Sequence, residues 1–259
     1  MTLAFQISLT REKAIRVKRP STSLAINYFL LLTPLACMTL PTPVLADDDR
    51  QSETVPEINA YIRLSDRFRL FAVASVTQSL TEGPTDGELG AYLDVLSLKP
   101  IFAERLLDID WARNRYLWAR IGYAFAGIHE GLRLSEGYSE TRFVAELSGR
   151  YPISRGFWML TRARIDMRTL SGQRSDRYRF RLGLEKEYTV LGRALIPYAR
   201  AEFLYDTRFD AWNRQIYQVG VEIELTQRFR IEPSYAFQID TAAPPTHLDR
   251  VGIVLTYYR

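Results

Sequence analysis

The stretch Gly156 to Tyr188, GFWMLTRARIDMRTLSGQRSDRYRFRLGLEKEY, excludes most of what a chain can fold into. In its first half Arg162, Arg164, Asp166 and Arg168 alternate with Ala163, Ile165 and Met167. In its second half Arg177, Arg179, Arg181, Gly183, Glu185 and Glu187 alternate with Tyr178, Phe180, Leu182 and Leu184. On a helix, residues two apart lie about 200° apart around the axis, so neither half would own an apolar face. On a strand the two sets fall on opposite faces. Both halves therefore read as strands, joined by the turn-rich SGQRSD. What remains is which face is buried, the one carrying guanidinium and carboxylate groups or the one carrying aliphatic and aromatic side chains.

The N-terminus bears on that question. Arg11, Lys13, Arg16, Lys18 and Arg19 form a basic region, Leu24 to Leu40 an apolar run, and Val44-Leu45-Ala46 offers small residues to a signal peptidase. Residues 1–46 read as a secretory signal cut after Ala46, residues 47–57 as a polar lead-in, and residues 58–259 as the folded domain. A lipoprotein reading would use Cys37, but Pro34 stands where a lipid-attachment box has leucine. Pro34, Pro41 and Pro43 interrupt the apolar run, which falls short of the about 20 residues a spanning helix needs.

The formal charge of +4 comes from the leader: without its five basic and one acidic residues the chain keeps 29 basic and 29 acidic residues. The whole-chain balance thus gives no argument for a nucleic-acid partner. Of those 29 basic residues only Lys99 and Lys186 are lysines. No cysteine follows Ala46, so neither a disulfide frame nor a thiolate metal site is available there. No apolar stretch after Ala46 is long enough for a spanning helix, so a membrane form would span as strands.

Period-two alternation recurs down the chain. Ala60, Ile62 and Leu64 oppose Tyr61 and Arg63; Leu117, Ala119, Ile121, Tyr123 and Phe125 oppose Trp118, Arg120 and Gly122; Phe143, Ala145 and Leu147 oppose Arg142 and Glu146. Further on, Ala199, Ala201 and Phe203 oppose Arg200 and Glu202, and Val219, Val221 and Ile223 oppose Glu222 and Glu224. Val251, Ile253, Leu255 and Tyr257 close the series. A repeated turn, LSDRFRL at Leu64 to Leu70 and LTQRFRI at Leu225 to Ile231, keeps the flanking apolar residues on one face. Longer connections are read at Thr81 to Gly87, His129 to Ser139, Ser171 to Asp176, Asp206 to Asn213 and Asp240 to His247. Alternating short and long connections suit an antiparallel up-and-down transmembrane β-barrel. Counting Phe102 to Trp111 gives about twelve strands, with ten as the fallback if Ala60 to Gln78 is one long strand. Leaving Phe102 to Trp111 out puts the Ser65 turn on the short-turn side but gives an odd eleven.

A soluble barrel would turn the apolar stripe inward. Against it stand the secretory leader, the excess of arginine over lysine on the polar face, and the alternating apolar ending VGIVLTYYR. The planar guanidinium fork suits fixed carboxylate networks in a confined space better than a lysine stem does. The Gly122-Tyr123-Ala124 strand, the Arg142 strand, the block Arg177 to Leu184 and Tyr235-Ala236-Phe237-Gln238 resemble the domain of unknown function 2490 family of Gram-negative outer-membrane β-barrels, over roughly Ala60 to Tyr258. The resemblance implies a barrel in the bacterial outer membrane, among its lipids and inserted by the barrel-assembly machinery. It implies no reaction. One departure is Arg259, which follows Tyr258 where such tails end in an aromatic.

With the apolar faces on lipid, the arginine rows line a lumen. A six-residue loop Ser171 to Asp176 would place Asp166 opposite Arg181 and Arg162 opposite Glu185, four candidates for a salt-bridge network. Arg168, Arg177 and Arg179 then remain as candidate contacts for small anionic solutes. The expected role is a narrow porin-like passive channel; the alternative is a structural or surface-interaction barrel with a charge-plugged lumen, whose business lies in loops such as DTRFDAWN with Phe209 and Trp212. A lipid-modifying hydrolase ranks below both. His129 and His247 are the only histidines, both read in loops, and the nearby Ser135 and Ser139 form no recognisable pairing with them. No enzyme, metal or other cofactor is implied.

Overall fold

A computed structural model of the chain describes residues 50–80, 83–95, 117–130, 133–154, 156–242 and 246–259. The expected leader and the optional strand Phe102 to Trp111 lie outside the described residues. The regular elements are strands: β1 (Arg50–Arg63), β2 (Phe68–Ser79), β3 (Gly83–Val95), β4 (Leu117–Glu130), β5 (Arg133–Ser154), β6 (Phe157–Leu170), β7 (Gln173–Lys186), β8 (Tyr188–Val190), β9 (Arg193–Asp206), β10 (Ala211–Glu224), β11 (Phe229–Asp240) and β12 (His247–Tyr258). Strands β1 to β7 pair in chain order, as do β9 to β12; β9 also pairs with β7 and β8, and β1 pairs with β12, so the sheet closes on itself.

Among the described residues twelve strands form, and eleven of them close the barrel. The three residues of β8 pair with the first residues of β9, Tyr188 with Leu195 and Val190 with Arg193. That is the same register in which β7 pairs with β9, Glu185 with Tyr198. β8 is therefore the far end of β7 past a break at Glu187, whose N–H donates to the Gly156 carbonyl at 3.0 Å. An odd ring cannot be antiparallel throughout. Its one parallel joint is the seam of β1 and β12, where Ile58 pairs with Leu255 and Tyr61 with Tyr258.

The repeated turn folds the same way twice. Leu64 N–H and Ser65 N–H both donate to the Phe68 carbonyl, at 3.0 and 3.1 Å, and Leu225 N–H and Thr226 N–H do the same to Phe229. The Ser65 and Thr226 hydroxyl oxygens each accept from the two following turn amides, Arg67 and Phe68 or Arg228 and Phe229. Both turns sit on the rim that carries Arg259, which bonds Tyr61 and Arg63 through its main chain. The count of eleven is what places them together.

Several stretches read as loops are strands. Gly83 and Pro84 pair with Ser79 and Gln78, β4 and β5 pair on to Glu130 and Arg133, and residues 50–57, read as a lead-in, form the first half of β1. The hairpin of β6 and β7 turns on Ser171-Gly172 alone, with φ of 45° and 88°. That is the pair of positive values a two-residue hairpin turn demands. Polar composition marked where the outer face leaves the apolar belt, and the strands run past that point.

The buried face is the charged one. Arg168, Asp94, Asp166 and Asp206 are among the largest fully buried side chains. Ile58, Leu89, Phe125, Leu184 and Ile253, from five different strands, are each at least half exposed on the outside. A soluble barrel has the reverse polarity. An apolar belt on every side is far larger than a water-soluble monomer exposes, and it is the surface that a bilayer covers.

Candidate functional site

Eleven strands about 4.8 Å apart and tilted by about 40° close at a radius of about 11 Å, so long side chains from the wall reach most of the way to the axis. Alternation turns every second residue inward, and the inward sets of neighbouring strands fall into three levels of ion pairs. Nearest the Arg259 rim, Asp94 on β3 accepts from Arg69 Nε and Nη2 at 2.8 and 2.6 Å and from Arg120 Nε at 2.6 Å. Beside it the rings of Tyr258, Tyr61, Phe71 and Tyr92 stack in sequence across β12, β1, β2 and β3, at 5.2, 4.6 and 5.5 Å between centroids. Arg120 lies 3.9 Å over Phe71 and Arg69 4.2 Å over Tyr61.

At the middle level Glu202 on β9 accepts from three guanidiniums: Arg179 Nε at 2.5 Å, Arg181 Nε at 2.6 Å and Arg162 Nη2 at 2.8 Å. Asp166 accepts from Arg164 Nε at 2.5 Å and lies 3.7 Å from Arg179. Nearer the Arg50 rim, Asp206 accepts from Arg168 Nη2 at 2.8 Å and Arg208 Nη2 at 3.0 Å, with Arg177 at 3.7 Å. Glu140 accepts from Arg142 Nε at 2.8 Å, and Arg142 Nη1 reaches Glu88 at 2.9 Å.

Many of these bonds skip a strand. Arg162 on β6 reaches Glu202 on β9 over β7, and Arg150 on β5 reaches Glu185 and Glu187 over β6. On β7, Gly183 leaves room for the stem of its partner Arg200: a Cβ on Gly183 would stand 2.9 Å from Arg200 Cγ. Desolvated charges are costly unless paired, so these networks are a condition of the barrel having a polar interior at all.

The register corrects the expected pairs. Because the turn takes two residues, Arg162 faces Arg181, Asp166 faces Arg177, and Glu185 faces Trp158. The expected partners Asp166 and Arg181, and Arg162 and Glu185, are four positions out of step. Arg162 and Arg181 meet on Glu202, Asp166 takes Arg164, and Glu185 takes Arg150. Of the candidate solute contacts, Arg168 is wholly buried between Asp206 and Glu140 and does not line the axial cavity. Arg177 is held near Asp206, and only Arg179 lines the axial cavity. Arg69, Asp94, Glu140, Arg150 and Asp206 were missed as lumen residues. The signal was their parity with inward residues already recognised on the same strand, for instance Arg150 with Arg142 and Glu146.

His247 is exposed at the Arg50 rim, its ring stacked 5.7 Å from Phe237 and its Nδ1 3.0 Å from Thr246 Oγ1. Trp212, exposed on the outer wall, packs edge-on against Tyr205 at 5.8 Å. Phe209 lies under Arg208 at 5.1 Å.

The ion networks do not fill the axis. A cavity of about 510 Å³ remains, and each of the eleven closing strands contributes to it, from Glu57 on β1 to Thr256 on β12. Nine arginines and six glutamates line it among the described residues. Asp94, Asp166 and Glu202, each paired to lining arginines, stand behind them.

An apolar outside, a charged inside and a closed ring of strands define a barrel of the outer-membrane type. No family model and no curated relative matches the sequence. Among solved structures the chain is similar to the β-domain of the Bordetella autotransporter BrkA, at 13% identity over 74% of this chain and 82% of that one, with a TM-score of 0.44.

Proposed function

We propose that this chain is an integral outer-membrane protein of the domain of unknown function 2490 type that works as a narrow passive channel for small polar solutes. The observation that carries the reading is the axial cavity, open to residues of all eleven closing strands and walled by fixed charge. Rings of charge at close quarters set which solutes enter. The arginine rows do not make the lumen simply anion-selective, since carboxylates match them nearly one for one. Lipids of the outer membrane cover the belt, and the tail VGIVLTYYR is what the assembly machinery reads during insertion.

A second reading rests on Arg168. Its guanidinium is fully buried across β7 in the Asp206 and Glu140 layer, which favours a stopper on the Arg50 side of the cavity. Single-channel recording of the refolded protein in a planar bilayer separates the two. Discrete, stable conductance with weak ion selectivity supports the channel. Silence from a protein that has inserted and shows the heat-dependent gel shift of a folded barrel overturns it in favour of the stopper.

A further inference from the structure

Among the carboxylates that line the cavity, one stands outside the networks. Glu57 on β1 accepts a hydrogen bond from Asn59 Nδ2 at 2.7 Å, two residues along its own strand, and forms no ion pair among the described residues. Across the lumen the imbalance has the opposite sign. The three guanidiniums on Glu202 bring three positive charges to one negative. Glu146, 3.8 Å from Arg162, and Asp166, 3.7 Å from Arg179, relieve two of the three. Arg181 has no second carboxylate within 4 Å among the described residues and is the most exposed of the three, at 23% against 18% and 16%.

Glu57 and Arg181 line the same cavity. In the ring, β7 is five steps from β1 through β9, β10, β11 and β12, and six steps through β6 to β2. In a closed ring of eleven, that places the two residues on opposite walls. The wall-to-wall Cα distance is about 22 Å for a radius of about 11 Å. At bond lengths near 1.5 Å an extended glutamate reaches about 4 Å inward and an arginine about 7 Å, which leaves about 11 Å between the two charged groups. A hydrogen bond of about 3 Å at each end leaves about 5 Å for the span of a ligand.

From this geometry we infer that the cavity is a binding site for small zwitterions whose ammonium and carboxylate lie about 5 Å apart, the size of an ω-amino acid, with the carboxylate on Arg181 and the ammonium on Glu57. The charge balance of the lumen points the same way. Its nine lining arginines face six lining glutamates, with Asp94, Asp166 and Glu202 behind the arginines and Arg142 behind Glu88, so the net field that would reward a solute of one sign is small. A dipolar solute aligned from β7 to β1 meets a complementary charge at each end. The inference shares with the channel reading the premise that solute reaches the cavity, and it does not require passage through the Arg168 layer.

The test is saturation-transfer NMR on the refolded protein in detergent micelles with 4-aminobutyrate, against butyrate and butylammonium, which each carry one of the two charges. The expected result is that 4-aminobutyrate binds at least tenfold more tightly than either. In Glu57→Gln it should bind no better than butyrate does. In Arg181→Gln it should bind no better than butylammonium does, while Arg228→Gln, in an exposed turn, changes nothing. Equal binding of butyrate and 4-aminobutyrate to the unaltered protein, or no binding of either, overturns the site without recourse to variants that must fold. Zwitterion binding in a barrel that is electrically silent would refute the channel and leave the site standing. Conductance without that preference would do the reverse.

Discussion

Tyr198 on β9 lies across Gly220 on β10 and donates its hydroxyl proton to Glu232 on β11. A Cβ at position 220 would stand 2.5 Å from the tyrosine oxygen. The glycine is therefore a socket, and the phenol ties together two strands that are not neighbours. Gly220→Val should cost about 1–3 kcal/mol by overpacking. Urea unfolding in micelles measures it, and the same substitution in a Tyr198→Ala background should cost less, because the clash with the phenol has gone and only the Pro233 carbonyl, 2.9 Å from the Cβ, still crowds it. Equal losses in both backgrounds would show that the ring does not occupy the glycine's place.

The Arg168 layer makes a sharper prediction. Asp206→Asn removes the nearer counter-charge of a fully buried guanidinium and leaves it Glu140 at 3.8 Å, so the loss should fall below the about 3–5 kcal/mol of a buried pair broken outright. Arg168→Met combined with Asp206→Asn should unfold at a higher urea concentration than Asp206→Asn alone. If the double variant is the weaker one, Arg168 is not what Asp206 neutralises.

Polarity outside the wall is tested at Leu182, an exposed residue at the middle of β7. Leu182→Arg should lose about 2–4 kcal/mol in vesicles, as arginine does at mid-bilayer on a barrel exterior. Leu182→Val should insert normally, with the fraction of heat-shifted protein on a gel as the readout. An arginine variant that folds as well as the valine one would take this face off the lipid.

Strand number can be read by cross-linking. Ile58 and Leu255 pair across the parallel seam and both point to the outside. With Cys37→Ser as background, Ile58→Cys with Leu255→Cys should oxidise to a disulfide in the folded barrel. Ile58→Cys with Val251→Cys, displaced by about 13 Å along the strand, should not. Efficient bridging of the second pair would mean a different closure.

Much of the wall was legible because period two survives any tertiary context: Arg162 to Arg168 and Arg177 to Arg181 turn inward as their alternation requires. Register was not legible. SGQRSD is polar because the strand has left the bilayer, and only the positive φ values at Ser171 and Gly172 show that two residues make the turn. That four-position slip moved every expected partner in the β6 and β7 pair. The networks also join strands that are not adjacent, as Arg162 joins Glu202, and no pairwise reading of neighbouring strands reaches them. The excess of arginine over lysine did point to fixed guanidinium and carboxylate networks; that three guanidiniums share Glu202 it did not show.

The parallel seam also orders events in time. Ten of the eleven joints link strands that follow one another along the chain, so each can zip from its own connection. The eleventh brings Arg50 to Asp249, 199 positions away, and no connection guides it. Loop closure over such a span is slow because its entropy must be overcome before any contact forms. Without that joint β1 and β12 would be two bare sheet edges, each offering unpaired main-chain groups to whatever stands nearby. The cavity on the axis is walled by all eleven closing strands, so it exists only in the closed ring.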